Sequence, residues 1–233
     1  MEMKEVFKKV YIGEEHPYLR PFICSGNPYE AKICFVGTNP ATPIYPNQVK
    51  LEDYIKLLGN YDEFMNFYKE SRKKEGKTEI SRTRMGINAF KQWVKTEIGT
   101  NMIETDIFTY PTKNIKDLSK VDKDVLKQSL QLFEEVLEEY HPYVIILHGA
   151  LTVETFNKLM NGKQIKYNSM SKKIEEIEKI NPYAEMSLNG HDIKVLTSKH
   201  FMYYGKTGNC FQNLKNNLRE IFKIKENSLE QLK

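Results

Sequence analysis

The sequence predicts one α/β domain, a three-layer sandwich around a central, mainly parallel four-stranded sheet. Three observations carry this. Residues 33–36, 102–108, 143–147 and 193–196 read as short strands that break abruptly into turns. Helical stretches lie between them, the alternation that builds parallel sheets. The first run, Ile33-Cys34-Phe35-Val36, is apolar throughout, as in a strand covered on both faces.

The elements follow in order. Residues 1–32 hold His16-Pro17-Tyr18 and Gly26-Asn27-Pro28-Tyr29, turn signals in irregular chain. The first strand ends in Gly37-Thr38-Asn39-Pro40-Ala41. Residues 49–58 and 61–74 read as helices, the second with Phe64, Phe67 and Tyr68 on one side. A third, over 89–98, carries Phe90, Trp93 and Val94 as its apolar stripe. The second strand, 102–108, is stopped by Pro111. Residues 117–140 contain the clearest helix, with Leu130, Phe133 and Leu137 on its buried face and four glutamates among residues 134–139 in solvent. Strand 143–147 turns through His148-Gly149-Ala150 into a helix over 151–160. Residues 161–190 are the least regular and read as a peripheral insertion with a lysine–glutamate helix over 171–180. The last strand feeds Thr197-Ser198-Lys199-His200. A closing helix buries Phe211, Leu214, Leu218, Ile221 and Phe222. No repeat or long linker divides the chain, so residues 1–233 are expected to form a single domain.

Composition narrows the class. The 233 residues are 40% apolar and 28% charged, enough for a packed core and a wet surface. The net charge of +4 permits a polyanionic partner without demanding one. Cys24, Cys34 and Cys210 form no C-x-x-C pair and read as free thiols of a reducing compartment. Residues 1–10 lack the apolar stretch of a signal peptide, and no apolar run is long enough to span a bilayer. A cytoplasmic protein without a membrane partner, and a monomer, is the expectation. No His, Cys or Asp set has zinc spacing, and the Gly37 loop lacks the Gly-Lys-Ser/Thr ending of a P-loop. No metal or cofactor is expected.

Ligands of open α/β sheets bind beyond the carboxyl ends of the strands. The residues there form an ordered set: Gly37-Thr38-Asn39-Pro40, then Asp106 with Pro111, then His148-Gly149-Ala150, then Thr197-Ser198-Lys199-His200. This order resembles the uracil-DNA glycosylase superfamily over roughly residues 30–222. Residues 36–40 look like its first motif, Gly-x-Asn-Pro in some branches. Residues 103–111 look like the strand that offers a base-reading Asn, and 197–209 like the second motif with its His and a later Asn. The resemblance implies a uracil-DNA glycosylase-like fold and DNA, double- or single-stranded, as partner. The iron–sulfur branches need four cysteines and this chain has three.

The resemblance also implies roles. Asn39 would hold the attacking water, though an Asn there can equally fix its own loop through a side-chain bond. His200 would donate to the leaving base. Gly37, Thr38, Pro40, Ala41 and Asp106 would shape the base pocket. The chain departs from the pattern at three points. Phe201 follows the His where the family has Pro. Asp106 stands where the family has Asn, and an ionised carboxylate only accepts hydrogen bonds. Ala41 replaces the bulky Tyr of the uracil-strict branch and leaves that wall open. Met85 and Ile87 fall in the segment that stacks on the base in the family. Arg84, Lys199, Lys206 and Asn209 are candidate DNA contacts, and Phe201 and Tyr203 candidate wedges.

Three functions fit these residues. The first is hydrolysis of the N-glycosidic bond of a deaminated or damaged base flipped out of DNA. The second is a non-cleaving relative that binds nucleic acid or a nucleotide. The third is an unrelated α/β enzyme using the same crevice for a small metabolite.

Overall fold

Alternate residues of the first strand belong to two different cores. Ile33 and Phe35 pack into one, Cys34 and Val36 into the other. Side chains of a strand point to opposite faces in turn, so the sheet is covered on both sides. A computed structural model describes residues 5–223. The expectation for residues 1–10 therefore falls partly outside the described residues.

The strands are β1 (Ile23–Cys24), β2 (Ile33–Gly37), β3 (Met102–Asp106), β4 (Val144–His148), β5 (Ile165–Tyr167), β6 (Ala184–Leu188) and β7 (His191–Ser198). They form one sheet in the order β1-β3-β2-β4-β7-β6-β5. The four expected strands are its central four, β3, β2, β4 and β7, and these are mutually parallel. The expectation of a mainly parallel four-stranded sheet needs correction at the edges. β1 adds antiparallel to β3, and β6 and β5 add antiparallel beyond β7, giving a mixed seven-stranded sheet. β6 and β7 are joined at Asn189-Gly190, both at positive φ (51° and 81°), the backbone of a tight hairpin. Residues 161–190 thus supply two edge strands. The helix expected over 171–180 shortens to one turn, α7 (Ile174–Ile177), whose Ile177 is buried.

The helices are α1 (Glu5–Lys8), α2 (Leu51–Gly59), α3 (Tyr61–Lys74), α4 (Arg82–Trp93), α5 (Lys123–Tyr140), α6 (Ala150–Leu159), α7 and α8 (Gln212–Ile221). Local chemistry sets their ends. The Asn60 side chain accepts from the Glu63 N–H at the start of α3, and Arg72, Lys73 and Lys74 close it where the helix dipole favours cations. Asp122 caps α5 through the Asp124 and Val125 N–H groups, and His141 ends it in a left-handed turn before Pro142. Ser81 caps α4, so that helix starts at Arg82, well ahead of the expected residue 89. Leu132, Phe133, Val136 and Leu137 of α5, with Val153 and Phe156 of α6, fill the core on one face. Ile87 and Phe90 of α4, with Leu214 and Leu218 of α8, fill the other.

Phe201 belongs to this second core. It is fully buried, 5.2 Å from the ring of Phe90 and 4.8 Å from that of Phe211. The expectation that Phe201 touches DNA is corrected by that burial. Tyr204 is buried beside it, whereas Met202 and Tyr203 are exposed. Among the described residues no helix is long and apolar enough to cross a membrane.

Candidate functional site

The register of the parallel strands fixes where the site lies. Gly37 pairs with Asp106, Val36 with Leu147, and His148 with Ser198. The carboxyl ends of β2, β3, β4 and β7 therefore finish nearly level, and their last side chains meet. A cavity of about 610 Å³ opens there. Thr38, Asn39, Pro40, Ala41, Asp106, Arg84 and His200 all line it, so seven sequence-predicted residues share one site. Beneath it a recess of about 50 Å³ is bounded by Gly37, Asp106, His148, Arg20, Arg84 and Glu104. Two larger concavities, of about 730 and 650 Å³, lie by α6 and the β5–β6 edge and gather no comparable cluster.

The loop after β2 is laced to the loop after β3. Ile107 N–H donates to Gly37 O, Phe108 N–H to Thr38 O and Thr112 N–H to Pro40 O, at 2.9–3.0 Å. Gly37 is needed for a steric reason. A Cβ there would collide with the Asp106 carboxylate and sit 3.0 Å from His148 Nε2. Gly149 is needed for its backbone, φ +90°, which turns the chain from β4 into α6 and brings His200 against it.

Two hydroxyl chains fix the polar walls. Thr112 Oγ1 donates to Asn114 O at 2.7 Å, so toward Asn39 it can only accept. The Asn39 amide nitrogen donates to that oxygen at 2.7 Å and to Pro40 O at 3.3 Å. Asn39 Oδ1 is thereby the free acceptor, with no partner among the described residues. Thr152 Oγ1 likewise gives its proton to His148 O, so Thr38 donates to Thr152 across 2.8 Å.

His200 is half-buried, and burial lowers its pKa. Its Nδ1 accepts from the Met202 N–H at 3.2 Å, which leaves the proton of the neutral ring on Nε2. Its ring centroid is 5.1 Å from that of His148, which stacks on Phe35 at 4.7 Å. Burial, reinforced by His200 and Arg84, pushes His148 down to about 3, so it is neutral. Its buried Nδ1 has no partner among the described residues.

Burial pushes Asp106 up to about 6, against the opposing pull of Arg20 and Arg84 and with help from Glu104. Its carboxylate makes no hydrogen bond or ion pair among the described residues. Glu104 is buried and paired with Arg84, while its Oε1 has no partner among the described residues. Arg84 also donates to Tyr61 Oη, 3.4 Å away. Burial works against its charge, but Glu104 and Tyr61 outweigh burial and raise its pKa. Arg84, expected at a DNA phosphate, thus serves an inward ion pair. Arg20 lies over the ring of Phe64 at 5.3 Å, and its guanidinium donates to no described protein oxygen.

The remaining expected contacts lie away from the cavity. Lys199 pairs with Glu178 at 3.7 Å. Tyr203, Lys206 and Asn209 are exposed on the loop that follows His200. Met85, expected near the base, is exposed on α4, whereas Ile87 lines the cavity. Sequence reasoning missed Arg20, Phe64 and His148 as site residues. His148 had a signal, since it ends a strand aligned with Gly37. Arg20 and Phe64 had none, because only the tertiary fold brings them in. Among the described residues no group of three His, Cys, Asp or Glu side chains is placed to hold a metal ion.

No protein-family model matches the chain, and no curated protein matches it. The site's chemistry is therefore read from its own geometry.

Proposed function

We propose that this protein hydrolyses the N-glycosidic bond of a deaminated or damaged base flipped out of DNA, and that it is a divergent relative of the uracil-DNA glycosylases. The observation that carries the reading is the forced orientation of Asn39. Its amide nitrogen is held by Thr112 and Pro40, which leaves Oδ1 as an acceptor for a water proton at the cavity wall. The parallel order β3-β2-β4-β7 and the meeting of Asn39, Asp106 and His200 at one crevice support it.

Cleavage of such a bond passes through an oxocarbenium-like sugar. Charge builds on the departing base, and a fixed donor aimed at it stabilises the transition state. His200, neutral and protonated on Nε2, is such a donor. Asn39 is a poor base, so it acts by holding water in line with the sugar. Tyr203 and Met202, both exposed and close in sequence to His200, would meet DNA around the vacated base position.

A second reading is nucleic-acid binding without cleavage. It draws on the bond from Asn39 Nδ2 to Pro40 O, which fixes the loop without any need for chemistry. One experiment separates the two. Single- and double-stranded oligonucleotides carrying altered bases are incubated with excess protein, and abasic sites are then cleaved with alkali. Cleavage above the enzyme-free rate supports hydrolysis. Salt-dependent binding with intact strands supports the second reading.

A further inference from the structure

The inference concerns the floor of the larger cavity, where Asp106 and Arg20 line both it and the inner recess, and it rests on the glycosylase reading above. We propose that the base taken there carries an exocyclic amine, which donates to the Asp106 carboxylate while Arg20 faces the carbonyl of the same base.

β3 sets up the recess. Glu104 and Asp106 are two residues apart and so point to one face, both into the recess. One Glu104 oxygen is held by Arg84, while Glu104 Oε1 and the Asp106 carboxylate have no protein donor among the described residues. The two carboxyl groups are the acidic members of the recess, and their open positions are acceptors. A buried acceptor is satisfied by a ligand N–H and disfavours a ligand oxygen. A site built to hydrogen-bond a group rejects strongly the analogue that lacks it. Arg20 supplies the complementary donors, since none of its guanidinium N–H groups is spent on described protein oxygens.

An amine-bearing base meets this pattern. A guanine-type edge offers two adjacent N–H donors to the two carboxylate oxygens and a carbonyl to the arginine. A cytosine-type base offers its amine to a carboxylate, the pairing that proteins use when reading cytosine. A uracil-type edge places a single N–H between two carbonyl oxygens, so one of them faces a carboxylate. Ala41 leaves the outer wall low, and the cavity of about 610 Å³ admits one- and two-ring bases. The reaction consumes one water. The C1′–N bond breaks, a C1′–O bond forms to the water oxygen, and the two water protons end on the new C1′ hydroxyl and the released base.

The test uses the full chain on oligonucleotides carrying 7-methylguanine, 8-oxoguanine or 5-hydroxycytosine, against uracil and hypoxanthine. The wild type is expected to release at least one amine-bearing base about 10- to 100-fold faster than uracil. Asp106→Asn, whose amide both donates and accepts, is expected to reverse that order. Uracil released as fast as every amine-bearing base overturns the inference and leaves the glycosylase reading in place. Release of no base overturns both. A thermal melt shows whether Asp106→Asn is folded, and if it is not, the wild-type ranking decides alone.

Discussion

The Asp106 carboxylate occupies the space that a side chain at position 37 would need. Gly37 and Asp106 are register partners on adjacent strands, so this approach is set by the sheet itself. Gly37→Ala must push Asp106 or His148 aside. A loss of about 1–3 kcal/mol in stability is expected, the range for overpacking, together with loss of base release. Chemical denaturation and single-turnover kinetics check both.

The Asn39–Thr112 pair yields a second prediction. Asn39→Ala removes the water-holding acceptor and is expected to lower the single-turnover rate by about 10²–10³, the range for one lost transition-state contact. Thr112→Val leaves Asn39 in place but frees its amide to rotate. It is expected to lower the rate less, about 10-fold by comparison with the full loss. DNA affinity stays unchanged in both, measured by fluorescence anisotropy at fixed salt.

Phe201 and Tyr203 are predicted to separate packing from binding. Phe201→Ala leaves a void among Phe35, Phe90 and Phe211, at about 3–5 kcal/mol of stability. Tyr203→Ala, at an exposed position, is expected within about 0.5 kcal/mol of the wild type yet weaker on DNA. Denaturant titration and salt-matched DNA binding give the two readouts.

Asp106 and His148 titrate in opposite senses. The Asp106 pKa is raised to about 6, so its contribution to stability is present at low pH and is lost as pH rises through 6. The His148 pKa is lowered to about 3, so its contribution is present above the usual histidine range and is lost as pH falls toward 3. Between about pH 4 and 6 the two slopes offset each other. Asp106→Asn is expected to expose the His148 slope, with stability falling as pH falls. His148→Gln is expected to expose the Asp106 slope, with stability falling as pH rises. Each slope is about 1.4 kcal/mol per pH unit. Arg20, Arg84, Glu104 and His200 face the same groups in all three proteins. Comparison with the wild type isolates the pair. Urea titrations across pH 4–6.5 measure it.

The central strands were legible because a strand covered on both faces is apolar without interruption, as in Ile33 to Val36 and Val144 to Leu147. Asn39, Asp106 and His200 were legible because each follows or ends a short strand that breaks abruptly into a turn. The β6–β7 hairpin was missed although Asn189-Gly190 is a strong turn signal, because the lysine–glutamate stretch before it masked the alternation of Ala184, Met186 and Leu188. The start of α4 was missed because Arg82, Thr83 and Arg84 carry no apolar stripe, and their helical state rests on the Ser81 cap. Arg20 was beyond reach of any local pattern. It sits in irregular chain that is tied down by long-range backbone bonds, among them its own N–H donating to Thr109 O, beyond β3.

Identification of released bases by mass spectrometry tests the account most directly. DNA damaged by deamination, alkylation and oxidation is incubated with the wild-type protein, with Asn39→Ala and with buffer. Release of a free base by the wild type, reduced about 10²–10³-fold in Asn39→Ala, is the predicted result. DNA bound in a salt-dependent manner by both proteins, with no base released above the buffer control, would contradict it.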